Sequence, residues 1–326
     1  MKKLTVLLLT ALLIAGMFAG CGAKKEEAPE AIRIGGLKGP TSMGMVKLLD
    51  DAAAGKSENT YDFVMASAAP ELTPKLIKGE LDILAVPANL GPTLYNNTDG
   101  EVQILAVNTL GVIYIVEAGG ETVKSIQDLK GQTIYATGKG QTPEYCLKYI
   151  LKENGIDPDK DLTIEWKSEA TESVATLQAE GKGIAMLPQP FVTVAQNTVE
   201  GLRIALSLTE EWDKLNNGST MITGALVVRK EFAEKYPQTL ASFLEEYAAS
   251  TKWINENVEE GAALVEKFDI VKAPIAKKAI PYCNITCITG NDMVEPLNGY
   301  LGVLLNENPQ AVGGSLPGDD LYCILK

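Results

Sequence analysis

The chain has 326 residues, with 29 Lys plus Arg against 42 Asp plus Glu, no histidine, and a net charge of −13. An acidic surface without a basic cluster repels phosphate backbones, which excludes nucleic acid as an electrostatically captured partner. Lack of histidine removes the commonest general base, every Ser–His or Cys–His nucleophile pair, and most zinc sites.

Residues 1–20 read as a signal peptide. Met1-Lys2-Lys3 is positive, Leu4–Phe18 is apolar but short for a membrane span, and Ala19-Gly20 is small. The ending "FAGC" resembles a bacterial lipoprotein processing site, which would make Cys21 the lipid-bearing N-terminus. Residues 21–30 are polar and without apolar periodicity, so they read as a flexible, lipidated tether. Losing Lys2 and Lys3 with the signal takes the charge to about −15, so the lipid on Cys21 has to hold the membrane against anionic headgroups. One acyl chain anchors weakly, which points to further acylation or a membrane partner.

The other cysteines are Cys146, Cys283, Cys287 and Cys323. Cys283-x3-Cys287 lacks the second clustered pair that zinc needs. Four free thiols, and a disulfide from Cys323 to Cys283 or Cys287, both fit an exported chain. Neither a metal nor a cofactor is implied.

From Ile32 the chain alternates. The runs "IRIGGL", "YDFVMA" (Tyr61–Ala66), "LDILAV" (Leu81–Val86) and "VQILAVNT" (Val102–Thr109) have strand length, with helix-like spacing at Met43–Leu49, Pro70–Lys78 and Leu90–Tyr95 between them. "GVIYIVEAGG", from Gly111, closes this block. A second block repeats the logic. "GQTIYATGKG" leads into a helix opened by Thr142-Pro143-Glu144, followed by "LTIEW", a helix near Glu172–Ala179, "GIAMLP" and "LRIALSL". After "TMITGALVV" the chain becomes mainly helical. Strand–helix alternation predicts α/β lobes with mostly parallel sheets. Roughly 300 residues suit two such lobes. The expected division is residues 31–117 and 222–326 for lobe 1, with 118–221 inserted as lobe 2. The crossings then fall near Glu117–Gly120 and Thr220–Gly224.

In open α/β sheets, ligands sit beyond the carboxyl ends of the strands. The loops there are Gly39-Pro40-Thr41-Ser42-Met43, Ala66-Ser67-Ala68, Pro87-Ala88-Asn89, Asn108-Thr109, Thr137-Gly138-Lys139-Gly140-Gln141-Thr142, Glu169-Ala170-Thr171 and Leu187-Pro188-Gln189. Each taken singly is ordinary cap and turn chemistry. Repeated at equivalent places, small residues, hydroxyls and amides at helix starts describe a cleft for a small ligand. None of the three arginines (Arg33, Arg203, Arg229) lies in these loops, so a guanidinium clamp on an anion is missing. Lys38 and Lys139 read as solvated. "GQTIYATGKGQT" fails as a phosphate loop because its glycine spacing is wrong and Gly140 stands where Ser or Thr should follow the lysine.

A lipoprotein start together with "IRIGGLKGPTSMGMVKLL", "KGELDILAVPANLGPTLY", "DLKGQTIYATG" (Asp128–Gly138) and "VVRKEFAEKYPQTLASFLEEY" resembles the substrate-binding proteins of ABC transporters. The branch is that of nitrate, sulfonate, taurine and thiamine-pyrimidine binding proteins. The resemblance runs from Ala31 over nearly the whole chain. It implies a two-lobe periplasmic-binding-protein-like fold of type II, without catalysis, that closes on one small-molecule solute. It also implies delivery of that solute to a membrane permease driven by an ATPase. Carried over by position, the ligand-binding residues would be Pro40, Thr41, Ser42, Met43, Ser67, Pro87, Ala88, Asn89, Thr137, Gly138, Gly140, Gln141, Thr142, Pro188 and Gln189. The missing cleft arginine argues against sulfonate or nitrate. A neutral or weakly anionic ring suits the same loops, with Tyr95, Tyr114 or Tyr145 as candidate stacking partners or plain packing residues. The alternatives are a biosynthetic enzyme of the pyrimidine or menaquinone pathway sharing this fold, and a ligand-sensing lipoprotein without transport.

Overall fold

The structure, a computed structural model, describes residues 28–325. The expected signal peptide, Cys21 and most of the tether lie outside the described residues. Within them, no helix is long and apolar enough to cross a membrane.

Among the described residues, eleven strands form two sheets. The strands are β1 (Ile32–Leu37), β2 (Tyr61–Ala66), β3 (Ile83–Pro87), β4 (Val102–Leu110), β5 (Ile113–Ala118), β6 (Thr133–Ala136), β7 (Thr163–Trp166), β8 (Gly183–Pro188), β9 (Arg203–Ser207), β10 (Ile222–Arg229) and β11 (Ile285–Thr289). The first sheet has the order β11-β4-β10-β3-β1-β2 and the second β7-β6-β8-β5-β9. In the first, β1 to β4 run one way while β10 and β11 run the other; in the second only β5 is reversed. The reversal has a simple origin. A chain leaving the carboxyl end of β4 straight into the other sheet enters at the facing edge, so β5 must run against its neighbours.

Both faces of the inner strands of the first sheet are covered, which explains the unbroken apolar runs of β3 and β4. Along β3, Ile83 and Ala85 join one core with Leu105, Leu226, Phe243 and Tyr247. Leu84 and Val86 join another with Leu72, Leu76, Leu94 and Ile104. The helix Pro237–Glu256 lies over the first of these faces, its buried stripe being Leu240, Phe243, Tyr247 and Ile254.

Two expected boundaries are corrected. β5 pairs with β8 and β9, so residues 113–117 belong to the second lobe and the first crossing is Gly111-Val112 rather than Glu117–Gly120. The C-terminal third is also divided. The helix Val294–Glu307 follows β11 but packs on Thr142–Glu153 of the second lobe, with Tyr300 against Cys146 and Trp212. The tail then returns to the first lobe, where the Cys323 N–H donates to Ile104 O at 2.8 Å. An amphipathic helix shows which face it buries, not which lobe it buries it on. Cys146, Cys283, Cys287 and Cys323 are all free thiols in this structure, with no disulfide from Cys323 to Cys283 or Cys287.

Candidate functional site

The crossing at Gly111-Val112 brings the two sheet edges together. Three peptide steps separate Leu110 from Ile113, a reach of about 10 Å. On the first-lobe side Gly224 is flanked by Pro87 and Thr109, and Ala88 N–H donates to Thr223 O at 3.0 Å. On the second-lobe side Ile113 pairs with Pro188, and Gln189 N–H donates to Val112 O at 2.9 Å. Thr41, Pro87, Ala88, Pro188 and Gln189 are therefore gathered around the hinge.

The first turn is built from within. Pro40–Met43 is a single helical turn whose cap, Gly39, has a positive φ of 144° and no side-chain hydrogen bond. Ser42 is buried and spends its hydroxyl on Leu37 O at 2.6 Å. Thr41 is anchored through its carbonyl, which accepts from Asn108 Nδ2 at 2.9 Å. Thr109 Oγ1 donates to Asn108 Oδ1 at 3.1 Å. A Cβ on Gly224 would collide with both Asn108 Oδ1 and Thr41, so only glycine lets these three segments meet. Met43 is taken into the core with Val46, Ile254 and Val265. Ser67 is exposed and its N–H is held by Glu71. Asn89 donates its amide to Ala311 O at 2.9 Å.

In the second lobe, Gly138 and Gly140 both have positive φ, 83° and 72°, which shapes the loop before the helix Thr142–Glu153. That helix starts with Gln141, not Thr142, in the cap position. Glu144 accepts the Gly140 N–H at 2.5 Å and pairs with Lys148 at 2.9 Å. Burial alone would raise its carboxyl, but the Gly140 N–H and Lys148 outweigh burial and hold it below the usual range. Gln189 is 2% exposed; its Oε1 accepts from Thr193 Oγ1 at 3.0 Å while Nε2 has no hydrogen-bond partner. Thr137 and Thr142 are half-buried at the same edge.

Every guanidinium is committed elsewhere. Arg33 and Arg229 meet the buried Asp82, and Arg203 meets the buried Glu117, in each case at the sheet ends remote from the hinge. Lys38, beside the first turn, pairs with Asp269 at 2.6 Å, and Lys167 lies 3.3 Å from Glu165. The three tyrosines are also engaged. Tyr95 donates to Asp320 on the C-terminal tail, Tyr114 donates to Tyr282 O at 2.8 Å, and Tyr145 donates to Gly140 O at 2.8 Å. Burial pushes the Cys146 and Cys283 thiols up to about 12, so neither is a thiolate nucleophile near neutrality. No group of metal-ligating side chains occurs among the described residues.

Sequence reasoning missed two features. A void of about 660 Å³ lies at the lobe junction along β9, lined by Tyr114, Ser207, Thr209, Tyr282 and Asn284. Asn308 donates Nδ2 to Tyr145 OH at 2.6 Å. The Asn308-Pro309 pair, a cap followed by proline, was its only visible signal.

Among solved structures, an ABC transporter protein from Parabacteroides distasonis superposes with a TM-score of 0.77 at 22% identity, covering 91% of this chain and 100% of that one. The periplasmic aliphatic sulphonate binding protein SsuA from Escherichia coli gives a TM-score of 0.69 at 19% identity, covering 87% and 94%. The desulfurization enzyme DSZB gives 0.62 at 12% identity, covering 91% and 97%. The fold is thus that of two-lobe periplasmic binding proteins. No curated protein matches the chain. The family model described as NMT1-like matches residues 51–267, two thirds of the sequence, and the chain belongs to the NMT1-like family.

Proposed function

We propose that the protein is an extracytoplasmic solute-binding lipoprotein of an ABC importer, anchored through Cys21, which captures one small solute between its lobes and hands it to a membrane permease. The observation that carries this reading is the hinge. A two-residue crossing brings Pro87 and Ala88 of one sheet edge close to Pro188 and Gln189 of the other, with Thr41 beside Gly224, and the ion pairs nearby, Lys38–Asp269 and Glu144–Lys148, are already made within their own lobes. The fold likeness to SsuA and the ABC transporter protein supports it. With all guanidiniums bound to carboxylates at the remote sheet ends, the solute is a neutral or weakly anionic ring held by hydroxyls, amides and backbone N–H groups.

DSZB shows that one neighbour of this fold is an enzyme, and fold does not fix function. Here the chain has no histidine and its buried thiols are protonated, so we read the cleft as binding without turnover. Small-angle scattering with a panel of small ring solutes tests this, since hinge closure compacts the particle. A bound solute recovered as product, or saturation without compaction, would overturn the reading. Fatty-acid labelling of the wild type against Cys21→Ala tests the anchor separately; equal label would refute it.

A further inference from the structure

The C-terminal segment does more than finish the first lobe. Helix Val294–Glu307 rides on Thr142–Glu153, where Lys152 Nζ meets both Glu307 carboxylate oxygens at 2.8 Å. At Asn308 the chain turns back. Its Oδ1 accepts the Gln310 N–H at 3.1 Å, capping the short turn Pro309–Val312. Its Nδ2 donates at 2.6 Å to Tyr145 OH, whose own proton goes to Gly140 O at 2.8 Å. A phenol has one donor and can accept as well, so this relay fills both roles. The Gly140 N–H is held from the other side by Glu144. The turn itself is pinned to the first lobe. Asn89 Nδ2 donates to Ala311 O at 2.9 Å, and Asn96 Nδ2 to Ser315 O at 2.9 Å. Gly313 packs so closely that a Cβ there would lie 2.7 Å from Thr93 Cα.

We propose that Asn308 is a positioning residue for the loop Thr137–Thr142: through Tyr145 it fixes Gly140 and ties this second-lobe loop to Pro87–Asn89 of the first. The two loops expected to hold solute from opposite lobes are thereby referenced to one turn, in addition to the Gly111-Val112 crossing. This rests on reading those loops as the solute site, but the linkage is measured without solute. Its failure is therefore distinguishable from failure of the binding function.

The experiment is site-resolved hydrogen exchange on the full, solute-free chain. Asn308→Asp keeps the acceptor that caps Gln310 and replaces the donor to Tyr145 by an anionic oxygen, which competes with Gly140 O for the phenol proton. One lost neutral hydrogen bond corresponds to roughly three- to tenfold faster local exchange. Asn308→Asp and Tyr145→Phe should each show this at Gly140 and Gln141, with β3 and β8 amides unchanged. In the Tyr145→Phe background, Asn308→Asp should add nothing at these amides, because the two act through one contact. Unchanged exchange at Gly140 and Gln141 in both single variants, a uniform rise that includes β3 and β8, or additive effects would each overturn the proposal. Asn308→Ser, which also retains a capping acceptor, serves if the aspartate variant does not fold.

Discussion

The two ends of the first sheet are built on opposite principles. At the end remote from the hinge, Arg33 grips Asp82 with Nε at 2.9 Å and a second nitrogen, donates to Gly79 O at 2.6 Å, and shares the carboxylate with Arg229. At the hinge end the buried partners are uncharged (Asn108 to the Thr41 carbonyl, Thr109 to Asn108, Ala88 to Thr223), and the Lys38–Asp269 ion pair there is exposed. A buried carboxylate needs its cation wherever the lobe moves, so ion pairs suit the end that stays rigid. Neutral hydrogen bonds cost less to rearrange, so they suit the end that, under the proposed function, meets a solute and bends.

The contrast breaks first at Asp82, which is 2% exposed. Asp82→Ala should lower stability by roughly 2–4 kcal/mol in urea melts, less than a fully buried pair because the Arg33 side chain is 39% exposed. Solute affinity should stay unchanged in the same variant. Next comes Gly224→Ala. A methyl group where Thr41, Asn108 and Thr109 converge should cost about 1–3 kcal/mol through overpacking and should also shift the hinge, so both melt and scattering profile change. Thr41→Val is smaller and cleaner. The turn it lies in has no side-chain cap, so stability should hold while affinity for a solute found in the panel drops by about 0.5–1.5 kcal/mol.

The smallest effect is the pH slope. Burial works to raise Glu117, but Thr122, Val123 and Arg203 outweigh it, and Glu144 behaves alike with Gly140 and Lys148. Both carboxyls are therefore lower in the folded than in the unfolded chain. Such groups add stability that is complete above the ordinary value of 4.5 and is lost as pH falls through the lower folded value. Glu117→Gln should flatten the melt midpoint against pH in the acid range and leave neutral-pH cooperativity intact. An unchanged slope would remove Glu117 from the account.

Much of this frame was legible in the residues, for identifiable reasons. β1, β2 and β8 begin and end where their apolar runs do; β1 and β8 are buried along most of their length and Gly39-Pro40, Gly183 and Pro188 mark their ends, whereas β2 is an edge strand with alternate residues exposed. β5 was assigned to the wrong sheet since an apolar run carries no direction. The real clue was the two residues Gly111-Val112 between β4 and β5, too short for a crossover helix. Pro87-Ala88 and Pro188-Gln189 lie at the sheet ends beside the crossing, but the spelling of such loops did not reveal which groups were already spent. Ser42 looks like a wall residue and is bonded to Leu37; Asn89 looks like a ligand donor and is bonded to Ala311. Asn308 lies far from every loop in sequence, so only the return of the C-terminal helix reveals it.

The central claim is that the hinge-end cleft takes its solute without a guanidinium. Calorimetric titration with an alkanesulfonate and with an uncharged heteroaromatic ring of similar size tests this most directly, in the wild type and in Thr41→Val. The account predicts saturable binding of the ring compound, weakened in Thr41→Val, and no saturation by the sulfonate over the same range. Tight, saturable binding of the sulfonate, with the ring compound inert, would contradict it.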